Sequence, residues 1–206
     1  KRGRVMLILA INGSPRPEGN TAYLLRSLQS VVEGAGARFV FLQISEILAG
    51  QKVPYCIACS SPCEGKCYRG TYLEETLQLM RKADGIIVGS PVYFSTVSAP
   101  MKAFWDKTRS LRRERALLNV VGGVVTVGDG RFGGQETTAR AIHDMMLCQG
   151  MTVVGDGYPD DDAGHLGASA QSPAEKDDHA LKRAGILAKR VVEVARATQS
   201  LRIRCR

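Results

Sequence analysis

Residues 4–24 read RVMLILAINGSPRPEGNTAYL, and three kinds of local order follow one another inside them. Val5 to Ile11 form an unbroken apolar run, which is what a strand covered on both faces requires. Gly13-Ser14-Pro15-Arg16-Pro17-Glu18-Gly19 is a turn-forming segment, and Asn20 or Thr21 can cap the helix that follows. Over residues 20–33 the positions Leu24, Leu28, Val31 and Val32 share one helical face. A buried strand that turns through a short loop into a helix is the first half of a βαβ unit. Backbone N–H groups and the helix dipole at such a turn favour an anion. Ser14, Asn20 and Thr21 add hydroxyl and amide donors, and Arg16 adds a full charge. That set suits a phosphate monoester, although a plain helix cap after a Gly/Pro turn would look the same. The loop lacks the Lys-Ser/Thr ending of a P-loop, which argues against nucleoside triphosphate hydrolysis.

Strand and helix patterns alternate along the rest of the chain. Strands are predicted at 4–11, 38–44, 84–90, 119–127 and 151–155, and helices at 20–33, 71–82, 98–110, 134–149 and 174–197. The polar stretch 156–173 reads as loop. Five strands alternating with helices predict an α/β fold: a parallel sheet with helices on both faces, in a single domain over residues 1–206. A cysteine-rich insertion occupies about 52–70. Sheets of this kind bind ligands beyond the carboxyl ends of their strands. The loops after strands one, three and four are therefore the places to look.

The composition is that of an ordinary globular chain, 44% hydrophobic and 23% charged over 206 residues. The net charge of +8 sits partly in the tails (Lys1, Arg2, Arg4; Arg202, Arg204, Arg206) and partly in the cluster Arg109, Arg112, Arg113, Arg115. It reads as a solvated surface, with attraction for anionic partners as the alternative. No base-stacking pattern accompanies it, so no nucleic-acid partner is expected. The N-terminal apolar run has the bare minimum length for an export signal and leads straight into the first loop, so it reads as a strand; no run spans a bilayer, and the protein is expected to be cytoplasmic without a membrane association.

The second loop, Ser90-Pro91-Val92-Tyr93-Phe94-Ser95-Thr96, sets two aromatics beside small hydroxyl residues. It can pack against a flat ring, or its aromatics can simply join the core. The third, Gly128-Asp129-Gly130-Arg131-Phe132-Gly133-Gly134-Gln135, contains G-x-G-x-x-G, and Asp156 lies about as far on as a ribose-binding acid would. A nicotinamide-binding Rossmann unit carries that fingerprint on its first strand–helix turn, however, and here it follows the fourth strand.

Taken together, INGSPRPEGNTAYLL, ADGIIVGSPVYFSTVSAPMKAFWDK and GDGRFGGQETT resemble the NADPH-dependent FMN reductase and iron–sulfur flavoprotein branch of the flavodoxin-like proteins. The resemblance covers most of residues 4–150. It implies a flavodoxin-like three-layer sandwich with sheet order 2-1-3-4-5. It also implies an FMN-dependent oxidoreductase that takes electrons from NAD(P)H and reduces flavin, quinone or another small acceptor. The alternative in this branch is an iron–sulfur flavoprotein exchanging electrons with a ferredoxin-like partner. By resemblance, Ser14, Arg16, Asn20 and Thr21 would hold the FMN phosphate. Pro91, Val92, Tyr93, Phe94 and Ser95 would border the isoalloxazine ring. Gly128, Asp129, Arg131, Gly133 and Gly134 would close over its other edge, with Arg131 near the N1–C2=O region. The family often has His where Phe132 stands. No catalytic side chain is expected, because the flavin N5 carries the chemistry. A homodimer or homotetramer is also implied.

Cys56, Cys59, Cys63 and Cys67 fall within twelve residues, spaced C-x2-C-x3-C-x3-C. Such packing suggests metal or redox chemistry rather than structural disulfides. Four thiolates suit a 4Fe–4S cluster, tetrahedral zinc or a redox-active thiol set. By resemblance the motif is the cluster site of the iron–sulfur flavoproteins, with one residue more than usual between its second and third cysteines.

Overall fold

The computed structural model describes residues 4–202; the charged tail residues Lys1, Arg2, Arg204 and Arg206, and Cys205, lie outside them. The first apolar run becomes β1 (Leu7–Asn12), every residue of which is buried. It is flanked by β2 (Arg38–Gln43) and β3 (Gly85–Pro91). Beyond β3 come β4 (Val121–Gly128), then β5 (Thr152–Val153) and β6 (Ala168–Gln171). All pairings are parallel, in the order β2-β1-β3-β4-β5, with β6 also on β4. The expected order 2-1-3-4-5 holds.

The fifth position differs from expectation. β5 pairs with Val121 and Gly122 at the start of β4, and β6 pairs with Val125 to Gly128 at its end. Two strands in tandem thus fill one place, and the sheet has six strands rather than five. Residues 168–171 fall inside the stretch read as loop. Their sequence, ASAQ, has too little apolar bulk to announce a strand, though it alternates between buried and half-buried sites.

The helices are α1 (Asn20–Arg26), α2 (Gln29–Gly34), α3 (Ile44–Ala49), α4 (Tyr72–Lys82), α5 (Ala99–Asp106), α6 (Arg109–Glu114), α7 (Gln135–Leu147) and α8 (Asp178–Ala197). Two predicted helices are each broken in two. The hydroxyls of Ser27 and Thr108 donate to the carbonyls three residues back, Leu24 and Trp105, each at 2.7 Å. Such local bonds offer the backbone an alternative to the helical ladder. α3 was not foreseen, since six residues are too few to display a period.

Alternation along β1 divides the interior into two cores. Leu7, Leu9 and Ile11 face one cluster, which includes residues of α3 through α7. Met6, Ile8 and Ala10 face the other, with α1, α2 and α8. Three layers result, as the continuous apolar strands demand. Part of the charge is structural rather than solvated. Arg4 and Arg202, from opposite ends of the chain, converge on Asp84, which is wholly buried, at 2.6 and 3.1 Å.

Candidate functional site

The carboxyl ends of β1, β3 and β4 carry the three loops, and a buried polar network fixes the first. The Asn12 side chain accepts from Ser14 N at 3.0 Å and donates to Gln43 Oε1 at 2.6 Å. Gln43 Nε2 donates to Ser14 O at 2.8 Å. Ser14 Oγ accepts from Arg16 N at 3.1 Å. Ser14 and Thr21 are buried, whereas residues 15–18 are exposed. The Arg16 guanidinium makes no hydrogen bond or ion pair among the described residues. Asn20 is engaged elsewhere: its side chain donates to Ser172 Oγ at 2.9 Å and accepts from Ala174 N at 3.0 Å. It ties the first loop to the segment leading into α8.

Ser98 joins the first two loops. Its hydroxyl donates to Gly13 O and accepts from Met101 N at the start of α5. Tyr93 and Thr96 exchange both backbone hydrogen bonds, at 3.0 and 3.1 Å, closing a two-residue hairpin. Its tip residues Phe94 and Ser95 have φ of 50° and 60°, a region non-glycine residues rarely enter. Pro91 and Val92 are half-buried below them.

The third loop is held by Gln135, which is only 6% exposed. Its Nε2 donates to Gly130 O at 2.6 Å, and its Oε1 accepts from Gly133 N at 2.9 Å. Gly134 has φ of 99°, and a Cβ there would stand 2.8 Å from Ser95 Cα, so the third loop abuts the tip of the second. Phe132 (φ 59°) projects from it. Phe94 and Phe132 are fully exposed, at 103% and 105%. Arg131 reaches Asp177 at 3.1 Å. Burial alone would raise the Asp177 carboxyl, but the amides of Gln171 and Ala180 and the Arg131 charge outweigh it and hold it below its ordinary value. Gln135, Ser98, Gln43 and Asn12 escaped sequence reasoning as site residues. Their only signal was to be polar at strand ends and helix starts. Asp156 is no ribose ligand: it is wholly buried and bound to Arg183 and to His165 N.

The four motif cysteines line one cavity of about 220 Å³. Cys56 and Cys63 are half-buried; Cys59 and Cys67 are exposed. Buried Tyr68 anchors the segment to α6 by donating to Ser110 Oγ at 2.9 Å. Arg109 Nη1 lies 3.8 Å from Cys56 Sγ. Among the described residues no three His, Cys, Asp or Glu side chains converge as a single ion would require. Zinc holds its sulfurs at about 2.3 Å, so its ligands must nearly touch one another. Four thiols with no carboxylate around one cavity are a donor set that suits a thiolate-held centre. None of the residues lining this cavity belongs to the three loops. A second cavity, of about 460 Å³, shares Cys56 and Arg109 with it and is also lined by Arg112 and Cys148. Trp105 is mostly buried, with its indole N–H on Met145 O, so it offers no broad face to a partner.

Comparison with known proteins gives the following. The sequence profile of a family described as NADPH-dependent FMN reductase matches residues 6–164. An iron–sulfur flavoprotein of Methanocaldococcus jannaschii is 43% identical over 194 residues, 93% of this chain and 98% of that protein. An iron–sulfur flavoprotein of Methanosarcina thermophila is 35% identical over 200 residues, 96% of this chain and 99% of that protein. Among solved structures, a flavodoxin-type WrbA-like protein from Agrobacterium tumefaciens aligns with a TM-score of 0.65 at 22% identity, over 94% of this chain and 99% of that one.

Proposed function

Because the chain belongs to the NADPH-dependent FMN reductase family and is an FMN-dependent oxidoreductase, we propose that its three loops seat the FMN and that its cysteine centre holds a 4Fe–4S cluster exchanging single electrons with a protein carrier. The observation that carries the flavin site is the meeting of the loops at the ends of β1, β3 and β4. Two of them hold a fully exposed phenylalanine in left-handed backbone. Strain and apolar exposure together mark a surface that something covers.

The first loop offers the phosphate a free Arg16 guanidinium, the backbone N–H of Glu18, and the Ser14 and Thr21 hydroxyls; Pro15 and Pro17 have no N–H to give, and that of Arg16 is bound to Ser14 Oγ. Asn20 acts there by fixing the loop against Ser172 and Ala174. Pro91 to Ser95 border the ring on one side; Gly128, Asp129, Gly133 and Gly134 close its other edge. Arg131, held by Asp177, keeps a positive charge at that edge. When bound, FMN accepts hydride at N5 and returns electrons one at a time. The donor set of the cysteine cavity, four thiols with no carboxylate among its lining residues, suits a cluster. The first two relatives bear the name iron–sulfur flavoprotein, and a ferredoxin-like carrier fits such a centre. NAD(P)H is the small-molecule donor. Residues 1–206 then act as one FMN-binding domain in the cytoplasm; among the described residues no helix is long and apolar enough to cross a membrane.

Arg16→Ala and Thr21→Ala are each expected to weaken FMN binding by about 1.5–3 kcal/mol, the range for hydrogen bonds to charged groups. At about 1.4 kcal/mol per tenfold, Arg16→Ala alone should raise the FMN Kd at least tenfold in fluorescence titration. Riboflavin, which lacks the phosphate, should bind equally well to wild type and Arg16→Ala. A matching loss for riboflavin would overturn the phosphate assignment.

The exposed phenylalanines also support a homodimer or homotetramer in which a neighbouring chain roofs the flavin. Light scattering should give a mass that is a multiple of 22.3 kDa, and Phe132→Glu should shift it toward the monomer. A wild-type monomer at micromolar concentration would refute this assembly.

A further inference from the structure

The cysteine cavity has an electrostatic wall that the ligand set does not explain. Lys107 lines it and is only 4% exposed. Its ammonium makes no hydrogen bond or ion pair among the described residues. Its stem is covered while its ammonium keeps access to solvent. Two residues on, Arg109 lines the same cavity with Nη1 at 3.8 Å from Cys56 Sγ. Lys52 is a third cation on the wall, and no carboxylate lines it.

Both residues are placed by the break between α5 and α6. That break lets Lys107 turn inward, while Thr108 is held by Trp105 O and by Gln149 Nε2 at 2.6 Å. Tyr68 fixes the cysteine segment to Ser110 on the same α6. The cations and the thiols therefore belong to one mechanically linked unit. A single surface ion pair would mean little. A lysine and two further cations lining one cavity with four thiols, and no carboxylate there to neutralise them, mean more.

We propose that Lys107 and Arg109 are positioning residues for the cysteine centre, compensating the negative charge of a thiolate-bound cluster and raising its reduction potential. The proposal rests on the cluster reading given above. Each electron delivered from the reduced flavin adds one negative charge to the centre, with no bond made or broken. Fixed positive charge close by in a low-dielectric cavity favours the state with the extra electron. Charge and hydrogen bonds to the sulfurs are among the means by which proteins set cluster potentials. Such residues touch neither hydride donor nor flavin, so their signature is a potential rather than a loss of flavin.

The test is a redox titration of anaerobically reconstituted protein, followed by electron paramagnetic resonance, on wild type, Lys107→Met, Arg109→Gln, Lys107→Arg and Arg113→Gln. Lys107→Met and Arg109→Gln should each lower the reduced-to-oxidised ratio at a fixed potential about tenfold, which is 59 mV for a one-electron couple. Lys107→Arg, which keeps the charge, should titrate close to wild type. Arg113→Gln, an exposed charge on α6 away from the cavity lining, should do the same. Arg109 is half-exposed, so its variant reports even if Lys107→Met folds poorly. Iron-loaded Lys107→Met and Arg109→Gln that titrate with wild type would overturn this proposal alone. Wild-type protein that holds no iron would overturn the cluster reading and this one with it.

Discussion

Replacing Cys63 by serine is expected to remove the iron and leave the flavin. Cys63 is one of four thiols lining a single cavity, and it is half-buried there. A serine hydroxyl is not a thiolate at neutral pH and does not replace one as a soft ligand. The flavin loops contribute no residue to that cavity. The FMN content, read from absorbance after anaerobic purification, should stay at one per chain. Iron should fall from about four per chain toward zero, because cubane clusters are commonly held by four cysteines. Cys148 is the one other described thiol, exposed and lining the neighbouring cavity beside Cys56. Cys148→Ser tests whether it substitutes as a ligand, and its iron content should match wild type. Yellow wild-type protein without iron, after reconstitution with iron and sulfide, would refute the cluster and leave a plain FMN reductase acting on flavin, quinone or another small acceptor.

The legible part of this fold was written in long apolar runs. β1, β3 and β4 are almost wholly buried and carry only one polar residue each (Asn12, Ser90 and Thr126), so their sequences leave little choice of state. The loops at their carboxyl ends could be located for the same reason. What stayed hidden depends on contacts between distant segments. β6 is four small residues, and only its pairing to Val125–Gly128 makes it a strand. The breaks after α1 and α5 come from hydroxyls bonding locally, which a hydrophobic period cannot register. At the site, Arg16 and the exposed phenylalanines stood where the loops placed them. Asn20 and Arg131, by contrast, are partly engaged with segments near α8 that are over forty residues away in sequence. Gln135 looked like one more polar residue after a glycine pair, yet it holds the third loop through both ends of its amide.

Arg183→Met is expected to cost the fold about 3–5 kcal/mol, the range for breaking a buried pair by deleting one partner. Arg183 is 5% exposed and Asp156 wholly buried. The guanidinium Nε donates to Asp156 Oδ2, and Nη2 donates to the Asp156 carbonyl at 2.7 Å. Nη2 also meets Asp162 at 3.0 Å. Asp156 Oδ1 in turn accepts from His165 N. One arginine on α8 thus gathers both ends of the excursion that separates β5 from β6. Without it the Asp156 carboxyl is left in a place closed to water without its main partner, and His165, exposed and 3.8 Å away, is a poor substitute. The effect should reach the site, because β6 precedes the Ser172–Ala174 segment that Asn20 holds. Denaturant unfolding should show the midpoint falling with an unchanged slope. The double variant Arg183→Met/Asp156→Leu should recover part of the loss, since it removes the stranded carboxylate together with its partner. A double variant no more stable than Arg183→Met would mean that the arginine acts chiefly through its bonds to the excursion's backbone and Asp162, rather than by neutralising a buried charge.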